Sequence, residues 1–233
     1  MSEWKRFHSL TLVTTAQPKP GQPRSIEPKA NDAPAAVNSP AMTTPPSGRE
    51  KLARFLAGET TERIFRHSSC HPSQPTGFCP CDGSLPAKLW FYLKATVLLS
   101  ALRLPFNRLK IAVLRRAGAR VGRDVFISAD VWIDPTFPQL LTIEDRVMIG
   151  VGVKIGLHEF TPDEFCAGPV VLRRGAIIGG FALIRYGVEI GEGAVVAPAA
   201  AVARDVPAGM IAVGNPARNL PRLQHVPDQT AVP

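Results

Sequence analysis

His158 is the residue of this sequence best suited to acid–base chemistry. It stands in the stretch Gly156-Leu157-His158-Glu159-Phe160 and is the only histidine between positions 117 and 220. A neutral imidazole within hydrogen-bond reach of a hydroxyl group can take its proton and make the oxygen a nucleophile. The other ring nitrogen then needs an orienting partner, for which Asp163, Glu164 and a backbone carbonyl are the candidates. A lone histidine can equally be structural, so the residue type alone does not decide its role.

A second group of potential ligands lies upstream. Cys70, Cys79 and Cys81, together with His67 and His71, offer the side chains that zinc prefers. Their C-x8-C-x-C spacing matches no common zinc motif, so we predict a reduced loop there and no metal site. Disulfide bonds are not expected, because no secretory signal is visible in the sequence.

The second half of the chain repeats with a period of six residues. Each branched aliphatic residue of the repeat is followed four positions later by a residue that is nearly always Ala or Val. A helix cannot bury such positions on one side, because six residues advance by about 600° around its axis. A triangular coil with three six-residue faces buries all of them, and successive coils stack about 4.8 Å apart. The repeating positions are Val121, Ile127, Ile133, Ile143, Ile149, Ile155, Leu172, Ile178, Ile184, Ile190, Val196 and Val202.

This repeat is interrupted twice, by four extra residues after Ile133 and by a longer stretch after Ile155. We expect the second interruption to leave the coil as a loop over roughly 159–170, and breaks in a solenoid commonly carry function. His158 stands where this loop opens. Glu159 occupies a position at which the repeat otherwise places a small inward residue.

Several stretches of the repeat region carry more specific motifs. They are Ile133-Asp134-Pro135-Thr136-Phe137-Pro138 with Thr142-Ile143-Glu144-Asp145, Gly168-Pro169-Val170-Val171, Gly187-Val188-Glu189-Ile190-Gly191-Glu192-Gly193-Ala194-Val195-Val196, and Asp205-Val206-Pro207 followed by Gly214-Asn215-Pro216-Ala217-Arg218. Together they resemble the hexapeptide-repeat acyltransferase family, in its maltose, galactoside and xenobiotic O-acetyltransferase branch. The resemblance covers about 117–220. It implies a mainly β fold, a left-handed parallel β-helix of about four coils.

The resemblance also implies an activity. Members of this family are homotrimers that use acetyl-CoA or another acyl-CoA, held in a groove between subunits. His158 matches the family histidine that acts as general base, and the acceptor would be a hydroxylated small molecule or glycan, such as a sugar or polysaccharide precursor. No metal and no nucleic acid is expected to take part. The alternative is a catalytically degenerate β-helix that serves as a trimeric scaffold.

Six residues match family positions near the cofactor. Small residues let the pantetheine arm approach the backbone, although tight corners in a stacked coil would select the same residues. Arginine side chains suit the CoA phosphates, and plain surface charge is the alternative. The small residues are Gly179, Gly180, Ala197 and Ala199, and the arginines are Arg204 and Arg218.

The sequence departs from the family pattern close to the expected site. Arg173-Arg174 replaces a Gly-Asp pair, and Arg185-Tyr186 replaces an aliphatic-Pro pair, which leaves the acceptor open. One histidine cannot supply the three ligands of the zinc carbonic anhydrases that share this fold. Residues 1–120 also lack the Gly-rich phosphate motif of the related nucleotidyltransferases.

The net charge of +8 is concentrated in residues 87–120, which carry eight basic and no acidic side chains. We predict two helices there, about 87–103 and 106–117, which cap the open end of the β-helix. Lys94 and Arg103 argue against a membrane span. The segment is either a cap alone or a cap that also contacts an anionic membrane.

The N-terminal part is rich in proline, and we predict disorder over 16–48 because its few apolar residues cannot form a core. Short helical patterns occur at 49–57 and 60–66. The expected compartment is the cytoplasm, with peripheral contact at the inner face of the membrane as an option. The predicted organisation is a largely disordered region with short helices at 1–86, a helical cap at 87–117, the β-helix at 118–218 and a tail at 219–233.

Overall fold

The computed structural model describes residues 48–68, 84–161 and 164–222. Three helices precede the repeat: α1 Gly48–Leu56, α2 Leu85–Arg103 and α3 Asn107–Ala117. Pro105 separates α2 from α3, since proline cannot continue a helix. Gly118 ends α3 in the left-handed region, with φ of 107°. The two predicted cap helices are therefore confirmed to within two residues at their ends.

The remaining described elements are short strands. They are β1 Phe65–Ser68, β2 Arg120–Val121, β3 Phe126–Ile127, β4 Trp132–Ile133, β5 Leu141–Ile143, β6 Met148–Ile149, β7 Lys154–Ile155, β8 His158–Phe160, β9 Glu164–Ala167, β10 Val170–Leu172, β11 Ile177–Ile178, β12 Leu183–Ile184, β13 Glu189–Ile190, β14 Val195–Val196, β15 Ala201–Val202, β16 Met210–Val213 and β17 Arg218–Pro221. A 3-10 turn occupies Pro138–Leu140. The tail predicted from residue 219 is wrong at its start, because β17 folds back on β16 as far as Pro221.

Parallel pairing arranges the repeat strands in three sheets. Sheet I contains β2, β5, β10 and β13, sheet II contains β3, β6, β11, β14 and β16, and sheet III contains β4, β7, β12 and β15. The chain visits the sheets in turn, so residues 120–202 make four complete coils of a parallel β-helix, as predicted. A separate antiparallel sheet of β1, β9 and β8 lies outside the coils.

Stacked aliphatic columns form the core of the β-helix. In sheet III, for example, Ile133 is in register with Ile155, which is followed by Ile184 and then by Val202. All four side chains are at most 3% exposed. The six-residue period therefore identified the inward positions correctly, because each repeat contributes one side chain to each column.

The strand β1 replaces one of the predicted helices. The pattern at 49–57 does form α1, but the helix predicted at 60–66 is wrong, because this segment leads into the strand Phe65–Ser68. Antiparallel pairing with β9 buries Phe65 to 4% exposure, and this long-range contact outweighs a weak local helix preference. Three sets of predictions lie outside the described residues: the loop that contains Cys70, Cys79 and Cys81, the position of Asp163, and the disorder over 16–48 except for its last residue. That residue, Gly48, begins α1, so the predicted disorder is wrong there.

Polar side chains of α3 cap the open edge of the first coil. Lys110 is 1% exposed, and its Nζ donates hydrogen bonds to the carbonyl oxygens of Ile127 at 3.0 Å and Ser128 at 2.6 Å. Two other donors are Asn107 Nδ2, 2.8 Å from Val125 O, and Arg115 Nη2, 2.7 Å from Gly122 O. Strand groups at an open edge would otherwise lack partners. Part of the basic charge of this segment therefore serves the fold itself, and burial lowers the pKa of Lys110.

We expect Lys110→Met to lower the free energy of unfolding by about 1–3 kcal/mol, because it leaves two carbonyl oxygens at this position without a hydrogen-bond donor. Urea denaturation followed by circular dichroism measures this. Lys88→Met makes the same chemical change at an exposed position of α2 and serves as the control. Equal denaturation midpoints for the two variants would contradict the capping role.

Candidate active site

The candidate site is built around a carboxylate–imidazole pair at one corner of the β-helix. Asp134 follows β4 directly and is 1% exposed. Ile133 stacks on Ile155 in the next coil. The corner that carries Asp134 therefore lies against the corner that leads to His158. Asp134 Oδ2 accepts hydrogen bonds from His158 Nδ1 and from the Leu157 N–H, the latter at 3.2 Å.

The charge of Asp134 determines which ring nitrogen of a neutral His158 carries the proton. Burial by itself would raise the pKa of Asp134, but the hydrogen bond and charge of His158 and the Thr136 N–H, 2.9 Å from Oδ1, hold that pKa below its ordinary value. Asp134 is therefore a carboxylate at neutral pH and only accepts hydrogen bonds. We assign the proton of a neutral His158 to Nδ1 on this basis, which leaves Nε2 with a free lone pair.

Three phenylalanine rings hold the imidazole in place. Phe137 and Phe160 meet it edge to face, with ring centroids 5.5 and 5.3 Å from that of His158. Phe165 lies 5.9 Å away at a tilted angle. The His158 side chain remains 20% exposed. The ring is thus fixed on several sides and open on one, as a base that must meet a substrate requires.

His158 also belongs to the antiparallel sheet outside the coils. β8 and β9 form a hairpin, and β1 pairs with the other edge of β9. In this register Phe65, Ala167 and His158 lie side by side on neighbouring strands. The predicted departure of residues 159–170 from the coil is confirmed, and the segment is a hairpin that a distant strand holds in place.

The segment that supplies this strand, residues 48–68, is here called the N-terminal strap. Phe65 packs against Phe55 of α1 and Phe165 of β9, with ring centroids 5.7 and 6.1 Å apart. Arg63 donates two hydrogen bonds of 2.6 Å, one to each carboxylate oxygen of Asp205, which lies beyond β15. The strap therefore connects the hairpin that carries His158 to the far end of the β-helix.

The next coil contributes a polar cluster beside the hairpin. Arg185 follows β12, and its Nη2 donates to Glu159 Oε2 at 2.8 Å and to Tyr186 Oη at 2.6 Å. Glu159 is exposed, so the charged residue at this position of the repeat does not enter the core. Burial raises the pKa of Tyr186 and the pKa of the Cys166 thiol. Cys166 therefore remains a protonated thiol at neutral pH and is a poor nucleophile.

The partner of the imidazole is not the one that the sequence suggested. Glu164 uses its backbone N–H to bond Thr161 Oγ1 at 3.0 Å within the hairpin turn. The prediction that Glu164 orients His158 is therefore wrong, because Asp134 takes Nδ1. Asp163, the other candidate, lies outside the described residues.

A signal for Asp134 was present in the spacing. Ile133 and Ile155 are 22 residues apart, which equals one 18-residue coil plus the four-residue insertion. Both residues therefore end a sheet III strand at the same corner. Asp134 is the polar residue that follows the first strand, and His158 lies three residues after the second.

Four of the predicted cofactor residues lie at one corner, between sheets II and III. They are Gly179, Gly180, Ala197 and Ala199. A Cβ atom at Gly179 would lie only 2.6 Å from the nitrogen of Pro198, so the stacking of coils alone requires glycine there. Ala199 is exposed, with φ of 58°. Phe181, which is 68% exposed, lies at the same corner directly after Gly180.

The two predicted arginines are both exposed. Arg204 lies just beyond β15, and Arg218 begins β17 opposite Val213. The neighbouring Ala217 N–H donates to Ala201 O at 2.8 Å, which places Arg218 next to the last coil. Their use by a phosphate group stays a prediction.

Sheet III separates the small-residue corner from the catalytic pair. Gly180 lies before β12, at one edge of this sheet. Asp134 lies directly after β4 and His158 shortly after β7, at the opposite edge. Strand residues advance about 3.3 Å each, which makes a six-residue face roughly 15–20 Å wide. A cofactor along the small-residue corner therefore reaches a base only across this face or on another subunit.

Comparison with known sequences points to acetyltransferases. No family model matches the chain. It is 34% identical over 99 residues to "Putative acetyltransferase YvoF" of Bacillus subtilis, covering 42% of this chain and 58% of that protein. The chain thus spans just over half the length of that relative. It is 27% identical over 169 residues to "Putative colanic acid biosynthesis acetyltransferase WcaF" of Escherichia coli, covering 62% and 91% of the two chains.

Comparison with solved structures agrees. A hexapeptide-repeat acetyltransferase of Vibrio cholerae O1 biovar eltor, complexed with acetyl coenzyme A, has a TM-score of 0.51 and 25% identity. The match covers 61% of this chain and 92% of that structure. Structural neighbours of this kind are left-handed β-helices, which confirms the predicted fold class. In sequence and in fold, this chain is therefore similar to hexapeptide-repeat acetyltransferases.

Proposed function

We propose that this protein transfers the acetyl group of acetyl-CoA to a hydroxyl group of a sugar or polysaccharide precursor, with His158 as the general base. The observation that carries the proposal is the hydrogen bond between the buried Asp134 and the partly exposed His158, which leaves Nε2 available to a substrate. The acetyl coenzyme A in the Vibrio cholerae relative supports the co-substrate. The name of the Escherichia coli relative supports a glycan acceptor.

The reaction needs no covalent enzyme intermediate. His158 Nε2 takes the proton of the acceptor hydroxyl while its oxygen attacks the thioester carbonyl carbon. The tetrahedral intermediate then expels the CoA thiolate, and the imidazolium returns the proton to that sulfur. Asp134 stabilises the transient imidazolium as a neighbouring negative charge. Because Cys166 is a buried, protonated thiol, direct transfer is favoured over an acyl-enzyme.

A thiol-release assay tests the proposal. The full chain is incubated with acetyl-CoA and a panel of free sugars and glycosides, and free CoA is measured with a thiol reagent. Acceptor-dependent release, together with an acetylated product in mass spectrometry, is the expected result. Failure to bind CoA in calorimetry would overturn the proposal and favour a scaffold.

A homotrimer is part of the proposal, and the outward face of sheet II supports it. Phe126, Met148 and Ile177 stack on successive coils and are 48%, 49% and 36% exposed. The equivalent outward positions of sheet I include Arg120 and Thr142. Sheet III also exposes Trp132 and Leu183, but Lys154 lies between them. The uninterrupted apolar stripe of sheet II therefore suits an interface between subunits better. It would also bring the small-residue corner of one subunit near the base of another.

We expect Ile177→Glu to dissociate the trimer and to abolish acetyl transfer, because it places a charge within the apolar stripe. Sedimentation equilibrium gives the mass, and circular dichroism checks the fold. Thr142→Glu, at an outward position of sheet I, is the control and should leave both mass and rate unchanged. A monomeric wild type, or a variant that stays trimeric, would contradict the assignment.

A further inference from the structure

The helix α2 exposes a continuous apolar stripe. It consists of Leu85, Leu89, Leu93 and Val97, which are 80%, 71%, 52% and 51% exposed. Their spacing of four residues places them on one side of the helix. Trp90 lies beside them and is 59% exposed. Single exposed apolar residues are ordinary, but a contiguous stripe indicates an interaction surface. We call these five residues the docking face.

The opposite side of α2 is apolar as well. Leu98, Ala101 and Leu102 are buried and pack toward the β-helix. Two apolar sides explain why the sequence lacks a clear amphipathic pattern. A helix that is apolar all round is normally enclosed. Here only 22% of the most apolar 18-residue window is buried, so we expect the exposed side of α2 to be covered by a binding partner.

The charges that α2 and α3 themselves carry are all positive, although Asp130 of the first coil lies 4.0 Å from Arg103. Lys88, Lys94, Arg103 and Arg108 are exposed, and the sequence of α2 and α3 contains no Asp or Glu. An apolar stripe flanked by lysine and arginine suits a membrane surface that contains anionic lipid. A second copy of this chain on the same face would bring two basic surfaces together, and like charges oppose such a contact.

The geometry favours a helix that lies on the membrane over one that crosses it. By length and composition alone, α2 is sufficient to span a bilayer. Spanning would pull Leu98 and Leu102 out of the protein core and place Lys94 within hydrocarbon. A helix parallel to the surface buries only the docking face and leaves the inner side packed as it is.

A cavity joins this helix to the catalytic insertion. Its volume is about 490 Å³. Its wall includes Trp90, Phe91 and Leu98 of α2 and Pro135, Thr136 and Pro138 of the four-residue insertion. Asp134 and Phe137, which belong to the same connection between β4 and β5, contact His158. A membrane against the docking face would therefore lie close to the insertion that holds the base.

We propose that the docking face binds an anionic membrane and that the acceptor hydroxyl belongs to a glycan anchored in that membrane by a lipid. The apolar cavity beside α2 offers room for part of the lipid chain. The choice of acceptor rests on the proposed acetyl transfer, whereas membrane binding does not depend on it.

Vesicle co-sedimentation of the full chain tests membrane binding. We expect binding to vesicles of equal parts phosphatidylglycerol and phosphatidylcholine, and much weaker binding to phosphatidylcholine alone. Binding should weaken as salt rises from about 0.1 M to about 1 M, where the Debye length falls to about 3 Å. Lys88→Gln and Lys94→Gln should each lower the partition coefficient about fivefold. Equal binding to both kinds of vesicle, or no binding to either, would contradict the proposal that the docking face binds an anionic membrane.

The apolar contribution needs a separate pair of variants. Leu89→Ser combined with Leu93→Ser should lower the partition coefficient on the order of 30-fold, because both side chains lose their place in the lipid. Leu220→Ser is the matched control on β17, where Leu220 is 49% exposed, and it should bind like the wild type. Sedimentation equilibrium is measured alongside. If the double variant binds vesicles normally, or changes the oligomeric state, the membrane assignment is wrong.

Acetyl transfer then tests the acceptor class. The double variant should acetylate free sugars at the wild-type rate and lose most of its rate with glycosyl diacylglycerols in anionic vesicles. Equal rates of both proteins on the vesicle-bound acceptors would refute the lipid-anchored acceptor. Absence of transfer to any acceptor would refute the proposed function. The vesicle experiments would still show whether the docking face binds a membrane.

Discussion

Replacing His158 by glutamine is expected to lower kcat by about 10²–10⁴-fold, the usual contribution of a general base. Glutamine fills much of the space between Phe137, Phe160 and Phe165 but has no basic nitrogen to accept the acceptor proton. If acetyl-CoA binds at the small-residue corner as proposed, its KM should change little, because that corner lies at the other edge of sheet III. Thiol release at saturating acetyl-CoA measures the loss.

The fold must survive for this result to count. Circular dichroism, thermal denaturation and CoA binding by calorimetry should match the wild type within error. His158→Ala is the second variant and should lose the same rate, since it also removes the base. If either variant retains the wild-type kcat, His158 has no part in proton transfer.

Asp134→Asn is expected to lower kcat on the order of 10²–10³-fold, although the variant keeps the size of the side chain. Asp134 accepts hydrogen bonds from three N–H groups, those of Thr136, Leu157 and the His158 ring. An amide offers only one oxygen, so its NH2 group must face one of these donors. The imidazole then loses either its orientation or its Nδ1 proton.

The ¹⁵N chemical shifts of the imidazole separate this role from a structural one. The wild type should show the Nδ1-protonated tautomer when neutral, and Asp134→Asn should lose it. Glu164→Gln is the matched control, because the loop carboxylate has no contact with the imidazole in the described part of the chain. A rate loss in Glu164→Gln, with a normal rate in Asp134→Asn, would restore the prediction made from sequence alone.

Most of the fold could be predicted from the six-residue period of the sequence. Each six-residue unit repeats one inward aliphatic residue, so positions such as Ile155 and Ile184 could be assigned without knowledge of their neighbours. The helices α2 and α3 were equally readable, because Pro105 and Gly118 mark their ends. His158 was found through the second interruption of the repeat together with the family motif.

The remainder of the site depends on contacts between distant segments. The strand β1 pairs with β9, and neither follows the six-residue period, so nothing local predicts their register. Asp134 lies in the first interruption and His158 beside the second, and only the stacking of coils brings them together. The capping hydrogen bonds of Lys110 could not be predicted for the same reason, since the carbonyl oxygens that accept them belong to the coil that follows.

The ion pair between Arg63 and Asp205 makes the attachment of the N-terminal strap depend on pH. Partial burial works against ionisation of Asp205, but Arg63 and the Glu189 N–H hold its pKa below the ordinary value. The stabilisation by this pair is therefore present above about pH 4 and is lost as the pH falls through the lowered pKa. Because the pair is half exposed, it is weak, and the strap is the first element expected to detach when the pH falls below about 4. Local unfolding would then free the hairpin of His158 while the four coils stay folded, so activity would fail before structure.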